Sequence, residues 1–160
     1  MAHDFAPRFR EAFAADLAAA PQLTLRQGDA IDSYHSAPAL DHVADSVTDA
    51  YLEQYCCGLP HLDPASWRHY LPALAAFAQR HVGTSSNVVG SLISSLRPPD
   101  RDPPRLASLA PAQEALVREF LEMLAFSPQS VWQAEACQAL EEWWTEDALY
   151  RAKAGRGSAA

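Results

Sequence analysis

The segment 61–82, HLDPASWRHYLPALAAFAQRHV, restricts the possible folds of this chain more than any other. Asp63 is a suitable N-cap, and Pro64 falls at the first helical position, where a missing N–H costs nothing. Trp67, Tyr70, Leu71, Leu74, Phe77, Ala78 and His81 then recur at three- and four-residue spacing. That pattern predicts a helix over 64–82 with one wide apolar stripe and two large aromatics near its start. Pro72 lies inside the run and should kink it or remove a hydrogen bond near Trp67 and Arg68. Gly83 follows the last periodic residue, where a C′ glycine belongs.

The same spacing predicts further helices. Phe5, Phe9, Phe13 and Leu17 stand at strict i, i+4 intervals in a helix over 5–20, stopped by Pro21. Residues 22–38 lose the pattern and read as an extended connector over the core, with at most one short helical turn. A helix over 39–55 should bury Leu40, Val43, Val47, Tyr51 and Leu52, with Asp41, Asp45 and Asp49 on its wet side. Cys56-Cys57-Gly58-Leu59-Pro60 is the turn that follows. A helix over 86–96, capped by Ser85 or Ser86, should bury Val88, Val89, Leu92, Ile93 and Leu96.

The proline-rich stretch 97–104 reads as a charged loop. Residues 111–126 form another helix, with Leu116, Val117, Phe120, Leu121 and Leu124 inside. The last helix is expected over 128–151, opened by Ser127-Pro128. Its stripe is Trp132, Ala136, Leu140, Trp143 and Leu149, with Glu135, Glu141, Glu142, Glu146 and Asp147 outside. The tail 153–160, KAGRGSAA, has no burying residue and should be disordered. No strand pair and no repeat of 20–50 residues is visible. The expected fold is therefore an all-α irregular bundle of five to six helices in a single domain over 1–152.

Two of these motifs resemble a known family. HLDPASWRHYLPAL resembles the L-tP-x-x-x-x-YYLPA signature of uncharacterised bacterial proteins grouped as DUF6714. RLASLAPAQEALVREFLEML, at 105–124, is similar to that family's second signature, RF-x-x-L-t-x-x-Q-x-x-A-v-x-x-FL. The resemblance covers roughly residues 40–125. His69 stands where the first aromatic of the tyrosine pair is usual, and the first fifty residues match poorly. The resemblance implies a compact bacterial cytosolic domain and carries no catalytic residues to transfer.

Composition narrows the function. A chain of 160 residues, 49% hydrophobic and 20% charged, suits one globular domain that needs no disulfide or metal to hold it. A net charge of −8 argues against a general nucleic-acid binder and fits a basic partner. Three cysteines make no disulfide framework. The charged N-terminus is no signal peptide, and no stretch approaches a membrane span, so a reducing cytoplasm is expected.

Candidate chemistry is sparse. Cys56 or Cys57 with His61 could form a nucleophile and base, although no catalytic signature surrounds them. His69 and His81 stand twelve residues apart on one helix, about 18 Å along its axis, and cannot share an ion; His61 lacks a paired ligand at short spacing. No P-loop, GxGxxG, nucleophile elbow or HExxH is present. Gly83-Thr84-Ser85-Ser86 before a helix could meet an anion through free N–H groups, but no lysine accompanies it. Trp143-Trp144 places adjacent indoles about 100° apart on a helix; one can be core, and the second reads either as part of a wide stripe at a packed terminus or as an exposed interface anchor.

The expected function is a non-enzymatic interaction protein of the immunity or antitoxin type that neutralises a cognate basic toxin domain. Glu141, Glu142, Glu146 and Asp147 would supply the electrostatics and Trp144 the apolar anchor. No cofactor and no metal is expected. The alternative is a small cysteine- and histidine-dependent enzyme or metal-binding sensor built on Cys56, Cys57 and His61.

Overall fold

The computed structural model of the protein describes residues 4–99 and 103–152; the expected tail over 153–160 lies outside them. Among the described residues there are nine α-helices and no strand, in keeping with an all-α fold.

The central helix forms as its sequence dictates. It runs over Pro64–Arg80, which is α5 in the chain-order numbering used below. Asp63 accepts from the Ser66 N–H at 2.9 Å and from its hydroxyl at 2.5 Å. The helix continues through Pro72, so the proline costs one hydrogen bond to the Arg68 carbonyl without ending it. Trp67, Tyr70, Leu71, Leu74, Phe77 and Ala78 are buried, and the half-buried His81 ring stacks on Phe77 at 4.2 Å. Gly83 does not serve as a left-handed cap: among the described residues no glycine has positive φ, and α5 ends at His81 with ordinary turn geometry.

Two neighbours complete the core. α6 (Asn87–Ser95), capped by Ser86, and α8 (Pro111–Phe126) occupy their expected ranges and bury their expected stripes. α1 (Phe5–Ala12) packs against both α5 and α8. Phe5 and Phe9 meet Phe120 edge-on at 5.5 and 5.6 Å, and Phe9 stacks on Phe13 at 5.7 Å. The expected helix 5–20 breaks at Phe13 and resumes as α2 (Ala14–Ala18), leaving Leu17 exposed. Asp16 explains the turn. It takes Arg68 Nε at 2.8 Å and Gln113 Nε2 at 2.9 Å, while Gln113 also donates to the Ala12 carbonyl. This polar network holds α2 against α5 and α8.

The connector expected over 22–38 contains a two-turn helix, α3 (Leu25–Asp32). A reciprocal capping box starts it: Thr24 accepts from the Gln27 N–H at 3.1 Å, and the Gln27 side chain accepts from the Thr24 N–H at 2.8 Å. α3 lies directly on the short 3-10 helix Cys56–His61, where the Gly28 and Gly58 backbones touch. A Cβ on Gly28 would sit 2.5 Å from the Gly58 carbonyl oxygen, so neither position has room for a side chain.

The helix expected over 39–55 is reduced to α4 (Asp49–Tyr55), capped by Thr48. Asp41 instead accepts from the N–H groups of Val43 and Ala44, a local turn that competes with helix formation. Leu40, Val43 and Val47 are consequently exposed, and Tyr51 and Leu52 alone of that stripe are buried. Arg26 reaches across from α3 and grips Asp45 through Nε at 3.1 Å and Nη2 at 2.8 Å. Burial pushes the Asp45 carboxyl up, but Arg26, the Asp41 N–H and Tyr51 outweigh it and hold the group at about 2. A folded value below the ordinary 3.8 stabilises the fold above that ordinary value, and the gain is lost as pH falls through about 2. Asp45→Asn should therefore cost about 2 kcal/mol at pH 7 and flatten the acid limb of the stability curve between about pH 4 and 2. Urea unfolding at a series of pH values checks this; an unchanged acid limb would show that the pair contributes nothing.

The last helix is shorter than the expected 128–151. Short helix α7 (Pro104–Ala107) precedes α8, and after it α9 (Gln133–Ala139) passes into one π-helical turn over Leu140–Trp144. The Ser127-Pro128 pair makes a turn rather than a helix start, and Leu149 is exposed.

Candidate functional site

Glu141, Glu146 and Asp147 are exposed, but Glu142 and Trp144 are not. Trp144 is only 2% exposed, and its Nε1 donates to the Leu96 carbonyl at 2.8 Å, satisfying an acceptor at the end of α6. It is a core residue rather than a surface anchor. Glu142 is 7% exposed and meets Arg97 Nε and Nη2 at 2.8 and 2.7 Å in a bidentate pair, with Gln138 adding a third bond. The Arg97 guanidinium keeps its carboxyl below the usual range. The wider π turn lets both indoles point inward, with Trp143 under the Arg151 guanidinium at 5.1 Å. The five residues expected to form one surface are thus divided between core and solvent.

Cys56 is buried, and burial pushes its thiol up, the reverse of what a nucleophile needs; Cys57 is exposed. His61 Nε2 is 2.9 Å from Asp32 Oδ1, and His69 Nδ1 is 3.0 Å from the Asp16 carbonyl. Among the described residues, no three His, Cys, Asp or Glu side chains gather where they could hold a metal ion. No helix of these residues is long and apolar enough to cross a membrane.

Two features that sequence periodicity did not single out stand in their place. The first is the segment 33–48, between α3 and α4, which crosses the surface without regular structure. From residue 27 to residue 67 the chain has no Lys or Arg, yet carries Asp29, Asp32, Asp41, Asp45, Asp49, Glu53 and Asp63. Within the same stretch Ile31, Tyr34, Leu40, Val43 and Val47 are exposed. Tyr34 is 98% exposed and has φ 59°, the one non-glycine residue with positive φ among those described. It closes α3: its own N–H donates to the Ile31 carbonyl at 3.0 Å and the His35 N–H to the Ala30 carbonyl at 2.8 Å. That is a Schellman cap with tyrosine in the place glycine favours, a conformation that costs a bulky residue about 1 kcal/mol or more.

The second feature is a cleft of about 1030 Å³. One side is the small polar face of α6, including Gly90, Ser91 and Ser94. Facing it are Pro60 and Leu62, with Arg105, Leu106 and Pro103 from the stretch that opens α7. Trp132 borders it, its indole beside Gly90 and its Nε1 donating to the Thr84 carbonyl at 3.2 Å. Ser85 and Ser86, from the Gly83–Ser86 run noted in the sequence, also line this cleft, as does Asp32.

A family model described as DUF6714, a family of unknown function, matches residues 1–148. No curated protein and no solved structure matches the chain.

Proposed function

The chain belongs to the DUF6714 family, and from that premise we propose that it is a non-enzymatic binding protein of the immunity or antitoxin type. In this reading it is a bacterial cytoplasmic protein that docks on a cognate basic toxin domain and neutralises it. The observation that carries the reading is Tyr34. A fully exposed aromatic held in a glycine-type backbone conformation contributes nothing to the core and costs stability, which is the pattern of a residue kept for recognition. The surroundings suit a cationic partner: the stretch 27–67 has seven carboxylates and neither lysine nor arginine. Asp45 and Asp49 pair with Arg26 and Arg80, but Asp32, Asp41 and Glu53 are exposed, with no arginine within ion-pair distance of them among the described residues. Such a field steers association, and the exposed Leu40, Val43 and Val47 supply apolar area beside the tyrosine. The docking surface is accordingly assigned to this segment rather than to the C-terminal cluster. Glu141, Glu146 and Asp147 add only to the long-range charge.

Tyr34→Gly separates recognition from folding. Glycine suits the backbone there, so stability should stay within about 1 kcal/mol of wild type. Capture of one stoichiometric basic protein from lysate of the source organism should be lost in Tyr34→Gly and weakened in Asp32→Lys/Glu53→Lys. Raising salt should weaken the wild-type capture, while Glu141→Lys/Asp147→Lys should retain it. Capture that ignores the Tyr34 and charge changes would sink the reading, as would a captured partner with no basic character.

A further inference from the structure

The cleft beside α6 has a chemistry that the docking reading does not use. Arg8, Arg26, Arg68, Arg80, Arg97 and Arg151 each face a carboxylate. Arg10 and Arg118 are exposed, where water compensates their charge. Arg105 differs from both groups. It is half-buried in the cleft wall, and among the described residues no carboxylate lies within ion-pair distance of it. Its Nε donates to the Leu62 carbonyl at 3.0 Å and its Nη2 to the Pro60 carbonyl. Those bonds fix the guanidinium without neutralising it. Burial lowers its pKa, and the charge of Asp63, whose oxygens cap α5, offsets that in part. A guanidinium cannot shed its proton in a protein, so the charge remains.

We propose that this cleft binds a small organic anion, a carboxylate or phosphate monoester with a flat apolar body, whose charged group meets Arg105. Withdrawing a cation from water is unfavourable unless a counter-charge lies close to it, and a ligand anion supplies one where the described residues place no carboxylate within ion-pair distance. The hydroxyls of Ser91 and Ser94 and the side chain of Asn87 line the same space and offer further donors. Trp132, Leu62 and Pro103 present apolar surface to the remainder of the ligand. A volume of about 1030 Å³ lies just above the usual range for small-molecule pockets, so an anion of this size would occupy part of the cleft beside Arg105. Asp32, the acidic group on the lining, has one carboxylate oxygen 2.9 Å from His61 Nε2. The anion reading of residues 83–86 fell short in the sequence for want of a lysine; Arg105, about twenty residues on, provides the cation.

The test is a titration of the full chain with phenyl phosphate and with benzoate, followed by amide and arginine Nε shifts in NMR. Benzyl alcohol serves as the neutral counterpart. Saturable shifts should appear at Gly90, Ser91, Arg105 and the Trp132 indole with at least one anion, and be about tenfold weaker with the alcohol. Arg105→Gln should weaken anion binding about tenfold or more, whereas Arg118→Gln should not change it. Because Arg105 also braces the 56–62 turn, Ser94→Tyr is the second variant: it fills the cleft from an exposed helix position and should block binding with the fold intact. Saturation by phenyl phosphate and not benzoate identifies a phosphate ligand, and the converse a carboxylate. The proposal is overturned by equal binding of the alcohol, by anion binding unchanged in both Arg105→Gln and Ser94→Tyr, or by no saturable shift with either anion up to about 10 mM.

Discussion

Gly58→Ala should destabilise this protein by about 3 kcal/mol or more, although it adds a single methyl group. The methyl carbon would overlap the Leu25 carbonyl oxygen, and it would lie 2.6 Å from the Asp29 nitrogen and 3.0 Å from the Gly28 carbonyl carbon. All three are backbone atoms of α3, so no rotamer change relieves the clash. The helix itself must move. Moving it strains the contacts that hold it: Leu25, fully buried, whose N–H donates to Tyr70 Oη at 3.4 Å, and the Arg26 N–H, which donates to Tyr51 Oη at 3.2 Å. Overpacking costs about 1–3 kcal/mol where side chains can repack, and more where main chain must shift. Gly28→Ala should behave alike, since its added carbon meets the Gly58 backbone at 2.5–3.1 Å. Urea unfolding of both variants decides the matter. A midpoint within about 0.5 kcal/mol of wild type would mean that α3 does not lie against the 56–61 turn as described.

Trp67→Ala carries an expected loss of about 3–5 kcal/mol, a large share of the 5–15 kcal/mol typical of a whole domain. Trp67 is fully buried on α5, and its Nε1 donates to Ser95 Oγ at 3.1 Å. Ser95 in turn donates to the Leu92 carbonyl at 2.7 Å, so the indole is tied to α6 as well as packed against it. Alanine would leave a cavity between two helices that are each braced on their other sides, and collapse is correspondingly limited. Trp67→Phe keeps most of the volume and removes the donor, and should cost about 1 kcal/mol. The denaturation midpoint should fall while the slope with denaturant stays constant. A loss below about 1 kcal/mol for the alanine variant would show that the core closes over the space.

The parts of the fold legible in the sequence are those whose signals are local and agree. Around α5, Asp63, Pro64 and the Trp67–Ala78 stripe all specify one helix with one buried face, and α6 and α8 have the same consistency of cap and stripe. Where a side chain takes a partner from another element, periodicity misleads. Leu40, Val43 and Val47 keep helical spacing, but Asp45 is drawn to Arg26 and Asp41 folds a turn on itself, so the helix begins only at Asp49. The T-x-x-Q of Thr24 and Gln27 is a helix-start signal, but no sustained apolar stripe follows it to mark the helix. Trp144 and Glu142 were assigned to solvent on the assumption of 3.6 residues per turn, which a π turn breaks. Neither the lack of a carboxylate against Arg105 among the described residues nor the left-handed backbone of Tyr34 has a sequence signal. Both are defined by what surrounds them in space.

The packing of α1 also bears on how the chain is made. Phe5 and Phe9 find their edge-on partner in Phe120, Arg8 pairs with Glu119, and Ala12 is held by Gln113, all roughly a hundred residues further along. Closing a loop of that length costs about 4 kcal/mol in chain entropy before any contact repays it. During synthesis the phenylalanines of α1 therefore have only α5 to pack against, and the faces that meet Phe120 stay uncovered until roughly three quarters of these 160 residues have been translated. α1 is thus made well before α8, the partner that completes its packing.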